Sequence, residues 1–502
     1  MMTLADALRE WEAVIGLEIH TALTTLETKL FCGCRLSHDD EPNANVCPVC
    51  LGLPGALPVP NREAVRSTVM AGLATNCQIM RRSMFYRKHY FYPDMAKNFQ
   101  TTQGPVAFCM NGHLDLEVVG EAAGERPGGT GVEKAADGSY VVSVGIARIH
   151  LEEDAAKMVH VGGAEGRIGG AAESLIDYNR CGTPLIELVT CPSLRTPEEA
   201  RLFMEKLRTT FLSLGISDCS LEKGSMRCDG NVSLRRRGEE GFGTKTELKN
   251  LNSFKSLHDA LAFEICRQAE VLGAGGVVRQ ETRHWEPTSK RTVVMRVKET
   301  NDDYRFFPDP DLAPFDLSDA FVDECRTRMP ELPDARRDRY VETLGLRRRD
   351  ATIIASEPVT SALFEEAVAG AGVALAGMVA NVVVNLLPGH ARVAPSQAAS
   401  LAALLADDAI TFAQAREVLD AVDGTDDDPA AVVDARGMRQ MTDEAALGVI
   451  VDAVLARCGE QVAQYRAGKT QVIGYLVGQC MKDSAGSGNP KLFRQLLADR
   501  LG

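Results

Sequence analysis

The sequence predicts an α+β protein in which a mainly antiparallel sheet domain is followed by an all-helical domain and a small helical tail domain. The chain of 502 residues is too long for one hydrophobic core. Its first ~310 residues alternate short apolar and polar runs between Gly, Pro and Asn turns, which is typical of antiparallel strands. From about residue 330 the chain is rich in Ala and Leu at helical spacing. We therefore expect domains at 1–315, 330–422 and 435–502.

The elements of the first domain follow from local patterns. Alternation predicts these strands: Val14–His20, Tyr140–Glu152, Leu185–Val189, Arg227–Leu234 and Lys245–Lys249. A helix is predicted over Pro197–Gly215, because Thr196 is a suitable N-cap and Gly215 a suitable end. A second helix is predicted over Ser253–Leu272. The stretches 122–138 and 162–172 are Gly-rich, which predicts surface loops.

The C-terminal part is predicted to be helical throughout. The acidic turn cluster Asp423–Pro429 is the best linker candidate. Beyond it the predicted helices are Glu444–Cys458, Thr470–Lys482 and Pro490–Leu501.

Composition narrows the class of protein. With 45% hydrophobic and 25% charged residues the chain is typical of a soluble globular protein, and no apolar run approaches the ~20 residues that span a bilayer. The net charge of −14 disfavours nonspecific coating of nucleic acid. Residues 441–502, however, carry seven Lys and Arg against six acids. We expect this tail to repel a polyanion less than the rest of the chain does.

Four cysteines between residues 32 and 50 predict a structural zinc site. Cys32 and Cys34 form Cys-x-Cys, and Cys47 and Cys50 form Cys-x-x-Cys after a short loop. Four thiolates in this spacing match a tetrahedral zinc site with no position open for catalysis. Two disulfides would need a secreted chain, whereas no apolar signal segment precedes them. Four unligated thiols remain an alternative. We expect a cytoplasmic protein.

Polar residues recur on one face of several predicted strands. Because alternate residues share a face, Gly16, Glu18 and His20 lie together, opposite three apolar residues. By the same rule His150 lies with Glu152, and Glu153 lies on the other face. The remaining aligned sets are Arg227, Asp229, Asn231 and Ser233 on one strand and Lys245, Glu247 and Lys249 on another.

These faces allow two interpretations. Glu187 interrupts an apolar strand, and a buried carboxylate must be paired or bind a metal. Carboxylates with one imidazole suit Mg²⁺ or Mn²⁺ better than zinc. The residues that could surround divalent cations are Glu18, His20, Glu153, Glu187 and Glu247. The alternative is a set of internal salt bridges with Arg148, Arg180, Arg227 and Lys249.

The loop Tyr90–Asp94 packs aromatic residues close to Lys97 and to amide side chains. Such a loop could stack a base and contact phosphates, or it could be a packed aromatic turn. The sequence lacks both a Gly-x-x-x-x-Gly-Lys-Ser/Thr loop and a dinucleotide-binding Gly motif. If the chain uses ATP, the nucleotide must therefore bind in a pocket on the sheet.

Six motifs resemble the B-subunit family of tRNA-dependent Asp/Glu amidotransferases, from about residue 12 to the C-terminus. They are Val14-Ile-Gly-Leu-Glu-Ile-His20, Tyr90-Phe-Tyr-Pro-Asp94, His150-Leu-Glu-Glu-Asp154, Gly182-Thr-Pro-Leu-Ile-Glu187, Gly224-Ser-Met-Arg-Cys-Asp229 and Glu247-Leu-Lys-Asn-Leu-Asn-Ser-Phe254. The resemblance implies a cradle-shaped catalytic sheet domain and a tail that holds tRNA. It also implies a heterotrimer with an amidase A subunit and a small C subunit.

The resemblance further implies a reaction. Ammonia from the A subunit would reach this chain through a tunnel, and ATP would activate the side-chain carboxylate of Glu on tRNA(Gln), or of Asp on tRNA(Asn). By similarity, Glu18, His20, Glu153 and Glu187 are catalytic and, with Glu247, bind Mg²⁺. Lys97, Arg227, Asp229 and Asn231 are weaker candidates for contacts with ATP or the acyl phosphate. A zinc-stabilised RNA-binding factor without chemistry, and a ligase for a free small carboxylate, are the competing hypotheses.

Overall fold

The computed structural model describes residues 2–37, 39–127, 132–162, 169–297, 305–441, 443–484 and 487–502. The side chains of residues 296 and 297 also lie outside the description, as do parts of both predicted Gly-rich loops. The chain divides into two compact units, Met1–Leu332 and Pro333–Gly502. The first contains the described strands and the second is helical, so the predicted α+β class is confirmed.

Strands of the first unit range from two residues to fourteen. In chain order they are β1 Trp11–Ala22, β2 Gln78–Ile79, β3 Arg82–Ser83, β4 Phe85–His89, β5 Phe99–Gln103, β6 Cys109–Val118, β7 Tyr140–Glu153, β8 Lys157–Val161, β9 Glu173–Asp177, β10 Pro184–Thr190, β11 Met226–Arg236, β12 Thr246–Lys249, β13 Glu281–Glu286, β14 Arg291–Val297, β15 Phe307–Pro308 and β16 Phe315–Asp316. All five predicted strands are confirmed, with ends that differ by up to three residues.

Twelve of these strands form one sheet, in the order β14-β13-β12-β11-β1-β10-β7-β5-β4-β15, with β6 pairing with β7 and β2. Among the described strands of this sheet, β12 and β13 form the parallel pair and the other pairs are antiparallel. Two-stranded sheets β16-β3 and β8-β9 lie apart from it. The long central strands β1, β10, β7 and β11 therefore fix the positions of side chains on both of its faces.

Helices cover the apolar face of this sheet. They are α1 Leu4–Glu10, α2 Arg62–Ala74, α3 Pro197–Leu214, α4 Phe254–Gly273 and α5 Asp319–Thr327. Thr196 caps α3 as predicted, and Gly215 ends it in the left-handed region at φ 67°. Ile15, Leu17 and Ile19 of β1 are buried in one core with residues of α3 and α4. Because alternation buries this apolar set, Glu18 and His20 point to the other face.

The second unit contains eleven described helices and two hydrophobic cores. They are α6 Pro333–Leu344, α7 Arg348–Ser356, α8 Pro358–Ala371, α9 Ala376–Asn385, α10 Pro395–Ala406, α11 Phe412–Val422, α12 Pro429–Ala435, α13 Glu444–Arg457, α14 Gly459–Arg466, α15 Ile473–Asp483 and α16 Pro490–Leu501. One core runs from Tyr340 to Val433 and the other from Leu447 to Leu501. The acidic turn after α11 packs against α10, since the Gln397 amide donates hydrogen bonds to two carbonyls of the turn, those of Thr425 and Asp427, and to the Val422 carbonyl at the end of α11.

Among the helices in the described part of the chain, none is both long enough and apolar enough to cross a bilayer.

Candidate functional site

Charged side chains of the central strands form rows on the face away from the helices. Cα pairing places Arg227 of β11 opposite His20 of β1, His20 opposite Glu187 of β10, and Glu187 opposite His150 of β7. Residues directly opposite in antiparallel strands point to the same face. One row of four charged or ionisable side chains therefore crosses four strands.

A second row lies two residues further along each strand. Glu18 is paired with Asp229 on one side and with Val189 on the other, and Val189 is paired with Arg148. The Lys249 ammonium forms an ion pair with Asp229 at the end of this row. In the next row Asn231 stands between Gly16 and Glu247. The predicted alignment of polar residues on β1 and β11 is thus confirmed.

Three carboxylates surround the His20 imidazole. Its Nε2 lies 3.6 Å from Glu187 Oε2, 3.7 Å from Glu152 Oε1 and 4.0 Å from Glu18 Oε1. One ligand atom each from Glu18, His20 and Glu187 lie within 4.8 Å of one another. The Glu152 side chain is 5% exposed and accepts a hydrogen bond from the Thr102 hydroxyl at 2.8 Å. We call Glu18, His20, Glu152 and Glu187 the carboxylate–histidine cluster.

Proton affinities within the cluster reflect crowded negative charge. Burial, and then the charge of Glu187, raise the pKa of Glu152 to about 7, and the same two causes raise the pKa of Glu18. Burial also opposes ionisation of Glu187, but the neighbouring His20 outweighs it and lowers the pKa of Glu187 to about 2. Although burial disfavours the imidazolium, Glu187 and Glu152 raise the pKa of His20. The cluster therefore favours any added positive charge.

A cavity of about 1230 Å³ opens over this face of the sheet. Its lining includes three members of the cluster, Glu18, Glu152 and Glu187, and these basic side chains: Lys88, Arg148, Lys245 and Lys249. Phe242 and Phe306 contribute aromatic surface. Carboxylates beside ammonium and guanidinium groups suit a ligand that is itself anionic and binds together with cations. The cavity is large enough for a nucleotide and a second reactant.

His150 also lines the cavity and carries an unused polar atom. Its Nε2 is buried, and it has no hydrogen-bond partner within the described part of the chain. Burial lowers the pKa of His150 to about 4, so the ring is neutral near pH 7. A neutral imidazole nitrogen facing the cluster can accept a hydrogen bond or bind a cation.

The structure does not bring Glu153 to the cluster. Glu153 follows Glu152 on β7 and therefore points to the opposite face, where its carboxylate pairs with Lys97 and accepts the Thr101 N–H at 2.8 Å. Both Glu153 and Lys97 line a separate cavity of about 240 Å³ that reaches Cys32 and Cys50. Lys97 is thus also remote from the face that bears the cluster.

Glu247 lies on the cluster's face but outside the cluster. Its carboxylate accepts the Thr282 hydroxyl at 2.7 Å and lies 3.4 Å from the Lys249 ammonium. Asn231 and Glu247 line the large cavity, whereas Asp229 is engaged by Lys249. Sequence reasoning had not selected Glu152, His150, Arg148 or Lys249 as site residues. The signal in the sequence that identifies Glu152 is strand alternation, which places it on the same face as His150.

The four clustered cysteines converge as predicted. One sulfur from each of Cys32, Cys34, Cys47 and Cys50 lies within 4.8 Å of the others, and all fourteen cysteines, each within the described residues, are free thiols. This possible metal site is compatible with structural zinc. A hydrogen bond with Cys32, together with the Cys47 N–H and the Lys29 ammonium, lowers the pKa of Cys50 to about 5, and the same hydrogen bond raises the pKa of Cys32, so Cys50 is the first of the two to lose its proton.

Lys29 is fully buried beside these cysteines. Its ammonium donates to the Tyr178 carbonyl at 3.0 Å and lies 3.8 Å from the Cys50 sulfur. Four thiolates around Zn²⁺ carry two net negative charges, so a nearby ammonium offsets part of that charge.

The fold and the cluster define an α+β protein with a sheet-borne, cation-favouring site under an open cavity. Residues 13–323 match the family model described as the GatB/GatE catalytic domain, and residues 365–501 match the model described as the GatB domain. The chain therefore belongs to the GatB/GatE family.

Curated relatives extend along the whole chain. A protein of Carboxydothermus hydrogenoformans is 43% identical over 98% of this chain and 99% of its own length. Proteins of Moorella thermoacetica and Frankia casuarinae are each 44% identical, over 98% and 99% of this chain and 100% and 97% of their own lengths. All three are named as the B subunit of an aspartyl/glutamyl-tRNA(Asn/Gln) amidotransferase.

Proposed function

We propose that this chain is the subunit of a glutamine-dependent tRNA amidotransferase that activates and amidates Glu on tRNA(Gln), Asp on tRNA(Asn), or both, for protein biosynthesis. Family membership and full-length similarity to proteins of that name support the proposal. The observation that carries the chemistry is the carboxylate–histidine cluster beneath a cavity with basic walls.

The reaction needs ATP because a carboxylate does not react with ammonia at neutral pH. A side-chain carboxylate oxygen of the aminoacyl-tRNA attacks the terminal phosphorus of ATP, the bond to the bridging oxygen breaks, and ADP leaves. Ammonia then attacks the acyl carbon, phosphate departs with the electron pair of the C–O bond, and the nitrogen loses a proton to give the amide. Both steps bring together anions, so positioning and charge neutralisation dominate catalysis.

The cluster would hold Mg²⁺ through oxygens of Glu18, Glu152 and Glu187 and through the His20 ring nitrogen. The fit is supported by the short separation of the Glu18, His20 and Glu187 ligand atoms, by the 3.7 Å between Glu152 Oε1 and His20 Nε2, and by pKa values that indicate excess negative charge. When bound, Mg²⁺ supplies positive charge against the triphosphate. Arg148 and Lys249 lie at the same cavity wall, where they can orient phosphate or carboxylate oxygens.

We assign Cys32, Cys34, Cys47 and Cys50 to a structural Zn²⁺ that fastens the 32–50 segment. Four sulfur ligands complete a tetrahedral shell, so this metal has no catalytic position. The fourteen free thiols support a reducing, cytoplasmic location.

Partners follow from the same assignment. We expect an amidase A subunit that releases ammonia and a small C subunit, together with the misacylated tRNA. We propose that the C-terminal segment built around the core from Leu447 to Leu501 holds the tRNA, because residues 441–502 carry more basic than acidic side chains. The three-domain division at 1–315, 330–422 and 435–502 is retained as part of this proposal.

The test is reconstitution of the full chain with its A and C subunits. Mischarged Glu-tRNA(Gln) or Asp-tRNA(Asn), ATP, Mg²⁺ and glutamine should yield the amidated aminoacyl-tRNA, and withholding ammonia should allow an acyl phosphate to be trapped. Glu187→Gln should abolish amidation and keep tRNA binding. The matched control is Glu342→Gln at an exposed position of α6, which should retain both.

Two outcomes would overturn the proposal. If Glu187→Gln amidates as the unsubstituted complex does, the cluster is not the catalytic site and an RNA-binding factor without chemistry fits better. If free glutamate is amidated and aminoacyl-tRNA is not, the protein is a small-molecule ligase.

A further inference from the structure

One buried carboxylate holds two guanidinium groups at the edge of the site. Asp154 Oδ2 accepts hydrogen bonds from Arg180 Nε at 3.0 Å and Nη2 at 2.5 Å, and from Arg227 Nη2 at 3.0 Å. Asp154 Oδ1 accepts the Ala155 N–H at 3.0 Å. A carboxylate oxygen that accepts three N–H donors from two guanidinium groups is stabilised in its charged form. We call Arg180 and Arg227 the arginine pair.

The arginine pair has charge and donors left over. Two guanidinium groups against one carboxylate leave one positive charge in excess. Within the described residues, Nε and Nη1 of Arg227 and Nη1 of Arg180 have no hydrogen-bond partner. The Arg227 side chain is 44% exposed and that of Arg180 is 29% exposed, so both are accessible to a ligand. Unused N–H groups in a planar fork are suited to the oxygens of phosphate.

The pair adjoins the carboxylate–histidine cluster. Arg227 is the register partner of His20 on the neighbouring strand. Asp154 follows Glu152 by two residues at the end of β7. An anion held by the pair would therefore lie next to the groups proposed to hold Mg²⁺.

The surrounding backbone fixes the pair. Asp154 and the turn that carries Arg180 are joined by two backbone hydrogen bonds: Asp154 N–H to the Thr183 carbonyl at 2.9 Å and Gly182 N–H to the Asp154 carbonyl at 3.0 Å. The same turn is tied to the cysteine segment, since the Asn45 N–H donates to Asn179 Oδ1 at 2.8 Å. The guanidinium groups are thus held before any ligand arrives, which reduces the entropic cost of binding one.

We propose that Arg180 and Arg227, positioned by Asp154, form a binding site for a phosphate group of the substrates. The inference rests on the proposed function and deepens it. The phosphate has two available sources, the polyphosphate of ATP and the phosphodiester chain at the acceptor end of the aminoacyl-tRNA. Asp154 is a positioning residue, because it touches the arginines and not the ligand.

The experiment measures initial rates of amidation by the reconstituted complex, with ammonium chloride as nitrogen donor and with ATP and mischarged tRNA varied separately. Arg227→Gln should raise the KM for one substrate about 10- to 100-fold, as expected for loss of charge-assisted hydrogen bonds, and change the other by less than about twofold. Arg227→Lys should retain part of the binding because it keeps the charge. Asp154→Asn should raise the same KM, and combining it with Arg227→Gln should add little.

The matched control is Arg326→Gln, which breaks an exposed ion pair with Asp323 on α5 and should leave both KM values unchanged. A raised KM for ATP identifies the nucleotide as the phosphate source, and a raised KM for tRNA identifies the acceptor strand. Unchanged KM values in Arg227→Gln overturn the inference, whether or not kcat falls. If Asp154→Asn unfolds, the Gln and Lys variants of Arg227 still test whether the arginine pair binds phosphate. Absence of amidation by the unsubstituted complex would instead refute the proposed function.

Discussion

Glu152 provides a test in which stability and activity change in opposite directions. The perturbation is Glu152→Gln, which keeps the shape of the side chain and an oxygen for the Thr102 hydroxyl but removes one negative charge from the cluster. The pKa of Glu152 is raised from 4.5 to about 7, chiefly by burial. A carboxyl group whose pKa is raised on folding binds more protons in the folded state than in the unfolded state between those two values.

The sign of the effect follows from this difference. As pH rises from about 4.5 to about 7, the unfolded chain loses its proton first, so the free energy of unfolding falls; above about pH 7 the loss is complete. The difference between the two pKa values lowers the free energy of unfolding by an amount on the order of 3 kcal/mol. Glu152→Gln removes this cost. We therefore expect the variant to be more stable than the parent by up to about 3 kcal/mol at pH 8, and nearly equal to it at pH 4.5.

Tryptophan fluorescence during urea unfolding is the appropriate assay. The chain has two tryptophans, Trp11 and Trp285, and both are buried in the core of the first unit, so the signal reports that unit. Buffers should lack Mg²⁺, because a bound cation would itself offset the charge. In the complete complex the same variant should lose amidation by about 100-fold or more, since it removes a group that we propose holds the cation near the transferred phosphate.

A matched control distinguishes this effect from a general response to losing a buried acid. Glu199 is fully buried, but it is paired with the Arg126 guanidinium at 2.7 Å and with the Tyr140 hydroxyl at 2.9 Å. Glu199→Gln should destabilise the first unit by about 3 kcal/mol, because it removes the carboxylate charge opposite the buried Arg126 guanidinium. If Glu152→Gln is destabilising at pH 8, or if its effect is the same at both pH values, the reasoning about crowded charge is refuted.

Three further predictions concern other parts of the chain. Cys47→Ser should remove about one equivalent of zinc, measured by elemental analysis, and lower the thermal midpoint of the first unit; an unchanged zinc content would exclude the four-cysteine site. Hydrogen bonding to Glu125 is the main cause that raises the pKa of His258 from 6.5, so the stability it confers is complete below about pH 6.5 and is lost as pH rises through the folded value. His258→Asn should therefore cost about 1 kcal/mol at pH 6 and less at pH 9, with equal costs contradicting the ion pair. Replacing exposed Arg466 and Lys469 by Gln should lower the slope of tRNA affinity against salt by about one per lost phosphate contact, and an unchanged slope would exclude contact there.

Alternation along single strands predicted most of the site. On β1, burial of Ile15, Leu17 and Ile19 left Glu18 and His20 on the polar face, because the period of a strand is two. The same rule put Glu152 with His150 and Glu153 opposite, which the structure reproduces. The assignment of Glu153 to the metal cluster was made from the residues as well as from the resemblance, and it grouped carboxylates without regard to this rule; the structure places that carboxylate beside Lys97.

What the sequence could not supply was the order of the strands. Residues 18, 152 and 187 meet because β1, β10 and β7 are neighbours in the sheet, and that neighbourhood depends on long-range pairing. The linker assigned at 423–429 stays a prediction, but the contacts of that turn are another feature that the sequence could not supply. Acidic residues and turn formers predict an exposed turn, but composition does not show that Gln397, distant in sequence, binds the carbonyls of that turn.

The charges around His20 explain why this arrangement suits catalysis better than stability. Three carboxylates share one imidazole, and the nearest guanidinium, that of Arg148, is 3.9 Å from Glu187. Elsewhere in the same unit, buried acids have short ion pairs, as Glu199 has with Arg126 and Asp309 with Arg87. A fold selected for stability alone would give Glu152 an equally short ion pair, because its present contact with His20, at 3.7 Å, only partly offsets the cost of burying the carboxylate. The cluster keeps this deficit of positive charge at the wall of a cavity. A cation that binds there together with a phosphate ligand would remove the deficit. The charge imbalance that lowers the stability of the folded protein is therefore also what would favour binding of the cation.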